Sequence, residues 1–309
     1  MTKRLNYWPL AKIAFSILAL LWLFVAIDRR AVMHALSRVT VAAFALAMLL
    51  TVIGIFVGAV RWLALLHAYG APRHPPLARL FRLYMIGTFY NTWLPGAVAG
   101  DIVRGVATRE SFGEEGAVSS VAVVLVERVL GLVGLLGVTA VVVLVHPRGD
   151  DSRILAASLA GIAMALGLVT LVSLGHRIGP RLPGAVGARI ASLPKLVQVG
   201  PFVSAIVLSL ATQILVPLAA HAFMHVVATD VPITDTLLVF PLVTAAAYFP
   251  FSVNGAGIRE SAAAYLFESV GVAASDAVAV SLLVWCAQAA VGALGGLLQL
   301  LPAESSDKA

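Results

Sequence analysis

Apolar runs recur along the chain from Leu10 to Leu301, with no polar half between them. A hydrocarbon core about 30 Å thick requires about 20 mostly apolar residues in helix. Residues 9–27, 39–66, 117–145, 154–174, 201–227 and 277–301 meet that requirement. Inside lipid a single segment satisfies its own backbone only as a helix, so these are expected to be six full spans. The first begins with basic residues, as a signal peptide does. However, Ala26-Ile27-Asp28-Arg29-Arg30 is a poor small-residue cleavage site, and the stretch reads as an uncleaved span.

Two further apolar stretches end differently. Residues 80–94 run into Pro95-Gly96-Ala97-Val98-Ala99-Gly100-Asp101, and residues 236–249 run into Pro250-Phe251-Ser252-Val253-Asn254-Gly255-Ala256-Gly257. Proline removes an amide donor and clashes with the preceding turn, while glycine adds backbone freedom. Each stretch is expected to be a helix that breaks at membrane depth and restarts, at Asp101 or at Ile258. Such breaks persist only where protein or a water-filled cavity satisfies the freed backbone. One ungapped shift of about half the chain superposes Pro95 on Pro250, Gly100 on Gly255 and Arg104 on Arg259. It also brings Phe112 onto Phe267, Gly116 onto Gly271 and Ser120 onto Ser275. The expected fold is all-α: a polytopic membrane bundle with two broken, re-entrant helix pairs and an inverted repeat. It forms one integral membrane domain over 1–309, with halves 1–150 and 151–309.

Composition strengthens this picture. The chain is 61% hydrophobic and 12% charged, with a mean hydropathy of +0.99, whereas soluble domains are about 45–50% apolar and about 25% charged. No soluble catalytic domain is expected. The net charge of +6 resides in short loops, which fits cytoplasmic loops beside anionic lipid rather than nucleic acid. Lys3, Arg4 and Lys12 favour a cytoplasmic N-terminus, and Arg177, Arg181, Arg189 and Lys195 belong on the same side. The loop with Asp230 and Asp235 lacks basic residues and faces outward. The first broken hairpin then enters from the cytoplasm, the second from outside, and both termini are cytoplasmic. Arg29, Arg30 and Arg38 resist this orientation. The single cysteine, Cys286, excludes an intrachain disulfide.

Asp101, Arg104, Glu127, Arg128, Arg259 and Glu260 are the charges nearest the apolar interior. A charge near the bilayer centre costs about 2.5–3.5 kcal/mol on insertion scales, so several together are expected to avoid lipid. Asp101 and Arg104 share a helix face. Either Asp101 caps the helix at an interface while Arg104 reaches water, or both contact a lipid or substrate. Glu127 and Arg128 are adjacent and point apart, so each needs its own partner. Arg104 or Arg259 suits Glu127, and Asp101 suits Arg128. Alternatively, Glu127 marks the membrane edge at the end of an interfacial helix.

Asn254-Gly255-Ala256-Gly257-Ile258-Arg259-Glu260 places a glycine-rich turn before a helix start. Its amides and Arg259 could hold a phosphate, or the glycines could simply permit tight packing. His221 and His225 share a helical face, but no third ligand is evident, so no metal is expected. Gly131, Gly134 and Gly137 have helix-packing spacing. Trp8, Trp22, Trp62 and Trp93 read as interfacial anchors or core. Nucleophile–base and nucleotide-binding patterns are not found, so no enzyme activity and no cofactor are expected.

Three segments together carry a resemblance to a known family. They are Tyr90-Asn91-Thr92-Trp93-Leu94-Pro95-Gly96 with Gly100-Asp101-Ile102-Val103-Arg104; Val126-Glu127-Arg128-Val129-Leu130-Gly131; and Pro250 with the Asn254 to Glu260 turn. In order and spacing they resemble the lysylphosphatidylglycerol synthase transmembrane, or flippase-like, family over nearly the whole chain. The resemblance implies a bacterial inner-membrane protein that binds and translocates a polar or anionic lipid. Asn91, Pro95, Gly100, Asp101, Arg104, Glu127, Arg128, Asn254, Gly255, Gly257, Arg259 and Glu260 are the expected substrate-binding residues. Well-known members join this region to a soluble domain that transfers lysine from tRNA to phosphatidylglycerol. With Ala309 close behind the last span, no such transfer is expected here. Other relatives serve hopanoid, glycolipid or polyprenyl-lipid pathways. Ala99 and Asn254 stand where relatives often have a second glycine. The expected partners are a phospholipid or other polar lipid, and a second copy of the chain or an envelope enzyme. The alternative role is a non-transporting protein that presents lipid to such an enzyme.

Overall fold

A computed structural model describes residues 29–93, 99–147, 152–228, 230–247 and 255–300, and all regular structure among them is helical. The expected span 9–27, with Trp8 and Trp22, lies outside the described residues. A short helix α1 (Arg29–Ser37) precedes α2 (Val41–Ala68). Helices α3 (Leu77–Trp93) and α4 (Ala99–Thr108) flank the first break. A 3-10 helix over Arg109–Glu115 leads into α5 (Gly116–Val145), which α6 (Ser152–Ser173) follows. Two short helices, α7 (Gly175–Ile178) and α8 (Gly184–Ala191), come before α9 (Val199–Val227). Helices α10 (Ile233–Ala247) and α11 (Ile258–Glu268) flank the second break, and α12 (Ala274–Leu297) follows.

Helices α2, α5, α6, α9 and α12 are long and apolar enough to cross a membrane, and they coincide with five expected spans. The 17 residues of α3 and 15 of α10 extend only about 25 and 22 Å at 1.5 Å per residue. Neither crosses a hydrocarbon core of about 30 Å alone. Both halves thus present a helix too short to span, a shorter helix and a long span, and of the two first helices α10 is the apolar one.

Packing assigns the helix ends to two sides. The Val197 and Gln198 amides donate to the Ala68 carbonyl at 2.8 and 3.1 Å, and the Tyr69 hydroxyl meets Ser173 Oγ at 2.9 Å. This puts the end of α2, the end of α6 and the start of α9 together. At the other side Arg38 Nη1 donates to the Val227 carbonyl at 3.0 Å. Arg38, which resisted the orientation read from loop charge, therefore serves the C-terminus of α9, where a cation is favoured.

Glycines set the depth of the first break. A Cβ on Gly295 of α12 would stand 2.0 Å from the Met85 carbonyl oxygen, so α3 and α12 touch backbone to backbone. Trp93 Nε1 donates to the Ala289 carbonyl at 3.4 Å, and α3 ends partway along α12. Helix α4 then runs back over α3, since a Cβ on Gly100 would stand 2.0 Å from the Gly87 oxygen. Past α4 the Ser111 carbonyl accepts the Arg73 amide at 3.4 Å, which sets the chain after α4 beside the segment before α3. The second hairpin turns at Gly255, whose φ of 76° suits glycine. It brings the Phe267 ring back to Phe240, with 6.4 Å between centroids, and leads into the start of α12, whereas α3 packs along the later residues of α12.

Candidate functional site

The first hairpin positions its charges through its own backbone. Asn91 Oδ1 accepts the Gly100 amide at 2.8 Å. This cap starts α4 at Ala99 rather than at the expected Asp101, and leaves Asp101 inside the first turn. Arg104 donates to Asp101 Oδ1 at 2.5 Å, and Arg128 Nε reaches Asp101 Oδ2. On α5, Glu127 Oε1 accepts from Arg61 Nη2 at 2.9 Å. Glu127 Oε2 lies 2.9 Å from Arg104 Nη1, but off the line that a hydrogen bond requires, so that contact is ionic.

The result is an alternating chain, Arg61–Glu127–Arg104–Asp101–Arg128, joining α2, α4 and α5. Asp101, Arg104 and Glu127 are 4%, 6% and 1% exposed, so these charges face protein. Neither the interfacial cap at Asp101 nor the membrane-edge position of Glu127 describes them: α5 continues through Glu127 to Val145. The Arg104 guanidinium also stands 3.9 Å from the Tyr84 ring centroid and 5.2 Å from that of Trp62. Such aromatic faces stabilise a desolvated cation, and Trp62 is core rather than an interfacial anchor.

The second hairpin is arranged differently. Glu260 turns back to accept the Gly257 amide at 2.8 Å, half of a capping box, since glycine contributes no side chain. That turn brings the other Glu260 oxygen beside Arg259 Nη2, although adjacent helical residues ordinarily diverge. Arg259 Nε donates to Ser281 Oγ at 3.1 Å. Its Nη1 has no partner among the described residues. The amide considered for phosphate at Gly257 is thus already occupied by Glu260. Pro95 and Asn254 lie outside the described residues, as does Pro250.

Both hairpins open onto one cavity of about 420 Å³. Asn91, Asp101, Arg104, Glu127, Arg128 and Arg259 line it, whereas Gly100, Gly255, Gly257 and Glu260 do not reach it and support it from behind. Sequence reasoning passed over further lining residues: Arg61, Tyr84, Gln213, Trp285 and Gln288. Arg61 carried a legible signal, a charge inside the apolar run 39–66. Gln213 reaches the cavity because α5 and α9 touch at glycine. A Cβ on Gly134 would lie 2.6 Å from the Ser209 oxygen, and one on Gly131 would lie 3.6 Å from Gln213 Nε2. The two histidines make a different contact: His221 Nδ1 lies 3.1 Å from Thr236 Oγ1, a packing interaction between α9 and α10.

A comparison with individual curated proteins finds no match. Among protein families, the model of the lysylphosphatidylglycerol synthase TM region matches residues 10–296, nearly the whole chain. With its apolar spans, its buried charges and this match, the chain belongs to the lysylphosphatidylglycerol synthase TM region family and is an integral, multi-pass membrane protein.

Proposed function

We propose that this protein binds the polar headgroup of an anionic lipid in the central cavity and carries it across the bilayer while the acyl chains stay in lipid. The carrying observation is charge. Among the described residues four arginines and two carboxylates line the cavity, and Glu260 stands behind Arg259, so that arginines exceed carboxylates by one. A buried excess cation is costly without an anionic ligand or solvent. Arg259 holds the headgroup phosphate, and the Arg61–Arg128 chain forms the facing wall.

The two hairpins act as re-entrant elements of an inverted repeat, with halves 1–150 and 151–309 inside one domain over 1–309. Support comes from the sequence shift and from the opposite ends by which the hairpins return. Half-helices that meet from opposite sides give one site two entrances, as alternating access requires. The protein sits in the bacterial inner membrane with cytoplasmic termini, and a second copy or an envelope lipid enzyme is its protein partner.

Purified protein in liposomes containing a fluorescent phosphatidylglycerol tests the reading, with a membrane-impermeant quencher added outside. Translocation exposes the inner-leaflet lipid to quencher, and Arg259→Lys slows it. If inner-leaflet lipid stays protected while the protein still binds it, the protein presents lipid rather than moving it.

A further inference from the structure

Building on the lipid-headgroup reading, we infer that the cavity selects a phosphodiester whose substituent is uncharged and hydroxylated, and discriminates against headgroups that carry an ammonium. The observation is an inventory of committed and uncommitted atoms. Every oxygen of the three carboxylates at the site already has a partner. Asp101 meets Arg104 and Arg128, Glu127 meets Arg61 and Arg104, and Glu260 meets Arg259 and the Gly257 amide. Glu127 Oε2 is held by charge alone, without a hydrogen bond, yet each carboxylate is already balanced by at least one arginine. An ammonium would enter a site with an excess of arginine and without a counter-charge of its own, and like charge disfavours it strongly.

Apart from Glu127 Oε2, what lacks a hydrogen bond to the described residues is neutral or donates to anions. Arg259 has its Nη1, and the side-chain amides of Gln213 and Gln288 make no hydrogen bond to any described residue. A primary amide offers both donors and an acceptor. Thr88 and Thr244 line the cavity and spend their hydroxyl hydrogens on the Tyr84 and Phe240 carbonyls at 2.9 and 3.0 Å, which leaves their oxygens only an accepting role. Pro217 cannot donate to the Gln213 carbonyl, which removes one more helical bond at the same wall. The Tyr84 hydroxyl is also buried without a hydrogen-bond partner among the described residues. An anion contact at Arg259 surrounded by amides and acceptors matches a phosphate joined to glycerol or a sugar, groups that donate and accept together.

Competition for a fluorescent dioctanoyl phosphatidylglycerol on the detergent-solubilised full chain tests this. Unlabelled phosphatidylglycerol is expected to compete about tenfold better than phosphatidylmethanol, which has the same charge and no hydroxyl. Phosphatidylcholine is expected to be weaker than both. Gln213→Leu with Gln288→Leu should erase the advantage over phosphatidylmethanol without weakening phosphatidylmethanol itself. Equal competition by phosphatidylmethanol or phosphatidylcholine would overturn the headgroup class while leaving lipid binding in place. Should the double variant fail to fold, the ranking on the unaltered protein still decides. Soluble glycerophosphoglycerol competing as well as the lipid would keep the class and overturn the lipid reading. If none of these compounds competes, both are overturned.

Discussion

The two broken helices carry matching arginines in unlike settings. Arg104 is the sixth residue of α4, 6% exposed, with its guanidinium against two carboxylates and two aromatic rings. Arg259 is the second residue of α11, half-buried, with one carboxylate partner and one nitrogen left over. A shared position under the sequence shift therefore does not imply a shared setting. Arg104 is a keystone between α4 and α5, and Arg259 has one nitrogen, Nη1, without a partner among the described residues. The local helices differ too: Gly100 lies within α4, whereas its counterpart Gly255 lies in the turn before α11.

The largest test of that difference is Arg104→Gln. It leaves Asp101 and Glu127 each short of a buried partner, and breaking buried ion pairs costs about 3–5 kcal/mol. Thermal unfolding in detergent should show a large loss of folded protein. An unchanged midpoint would remove Arg104 from its keystone role.

Next is Gly100→Ala, whose Cβ meets the Gly87 oxygen at 2.0 Å. Overpacking of this kind costs about 1–3 kcal/mol or more. Gly105→Ala, one of whose nearest neighbours is Val124 Cγ2 at 3.5 Å, is the matched control. Equal unfolding midpoints for the two would mean that α3 and α4 do not depend on backbone contact.

Arg259→Lys sharpens the comparison from the other hairpin. Lysine keeps a charge beside Glu260 but loses the planar fork. Unfolding should change by less than about 1 kcal/mol, while affinity for phosphatidylglycerol falls about tenfold. A variant that loses folded protein and keeps its affinity would make the two arginines alike after all.

The smallest effect belongs to the approach to the first hairpin, where the His67 and His74 rings stack with centroids 3.8 Å apart. Burial, followed by the neighbouring His67, holds the His74 pKa below its ordinary value. The unfolded chain then takes up a proton first, so this loop loses stability as pH drops below about 6.5. Hydrogen exchange over 70–74, corrected for intrinsic rates, should accelerate on acidification, and His74→Phe should remove that dependence.

Much of the architecture was readable along the chain, because lipid leaves the backbone few alternatives. Apolar length alone located five described spans, and Pro250 with the following glycines foretold a restart at Ile258, where α11 begins. The pairing of Arg128 with Asp101 was legible from adjacency and charge, whereas of the two arginines that suited Glu127 the packing brings Arg104. The side chains behind the cavity wall were not readable in this way. Arg61 meets Glu127 across 66 positions, and Gln213 reaches the site only because Gly131 and Gly134 let α9 approach α5. Sequence periodicity reports which way a residue faces on its own helix, and through apolar length it determined this protein's membrane class and its two breaks. Which arginine is locked and which keeps a free donor depends on distances between helices far apart in the chain, and only the tertiary packing decided it.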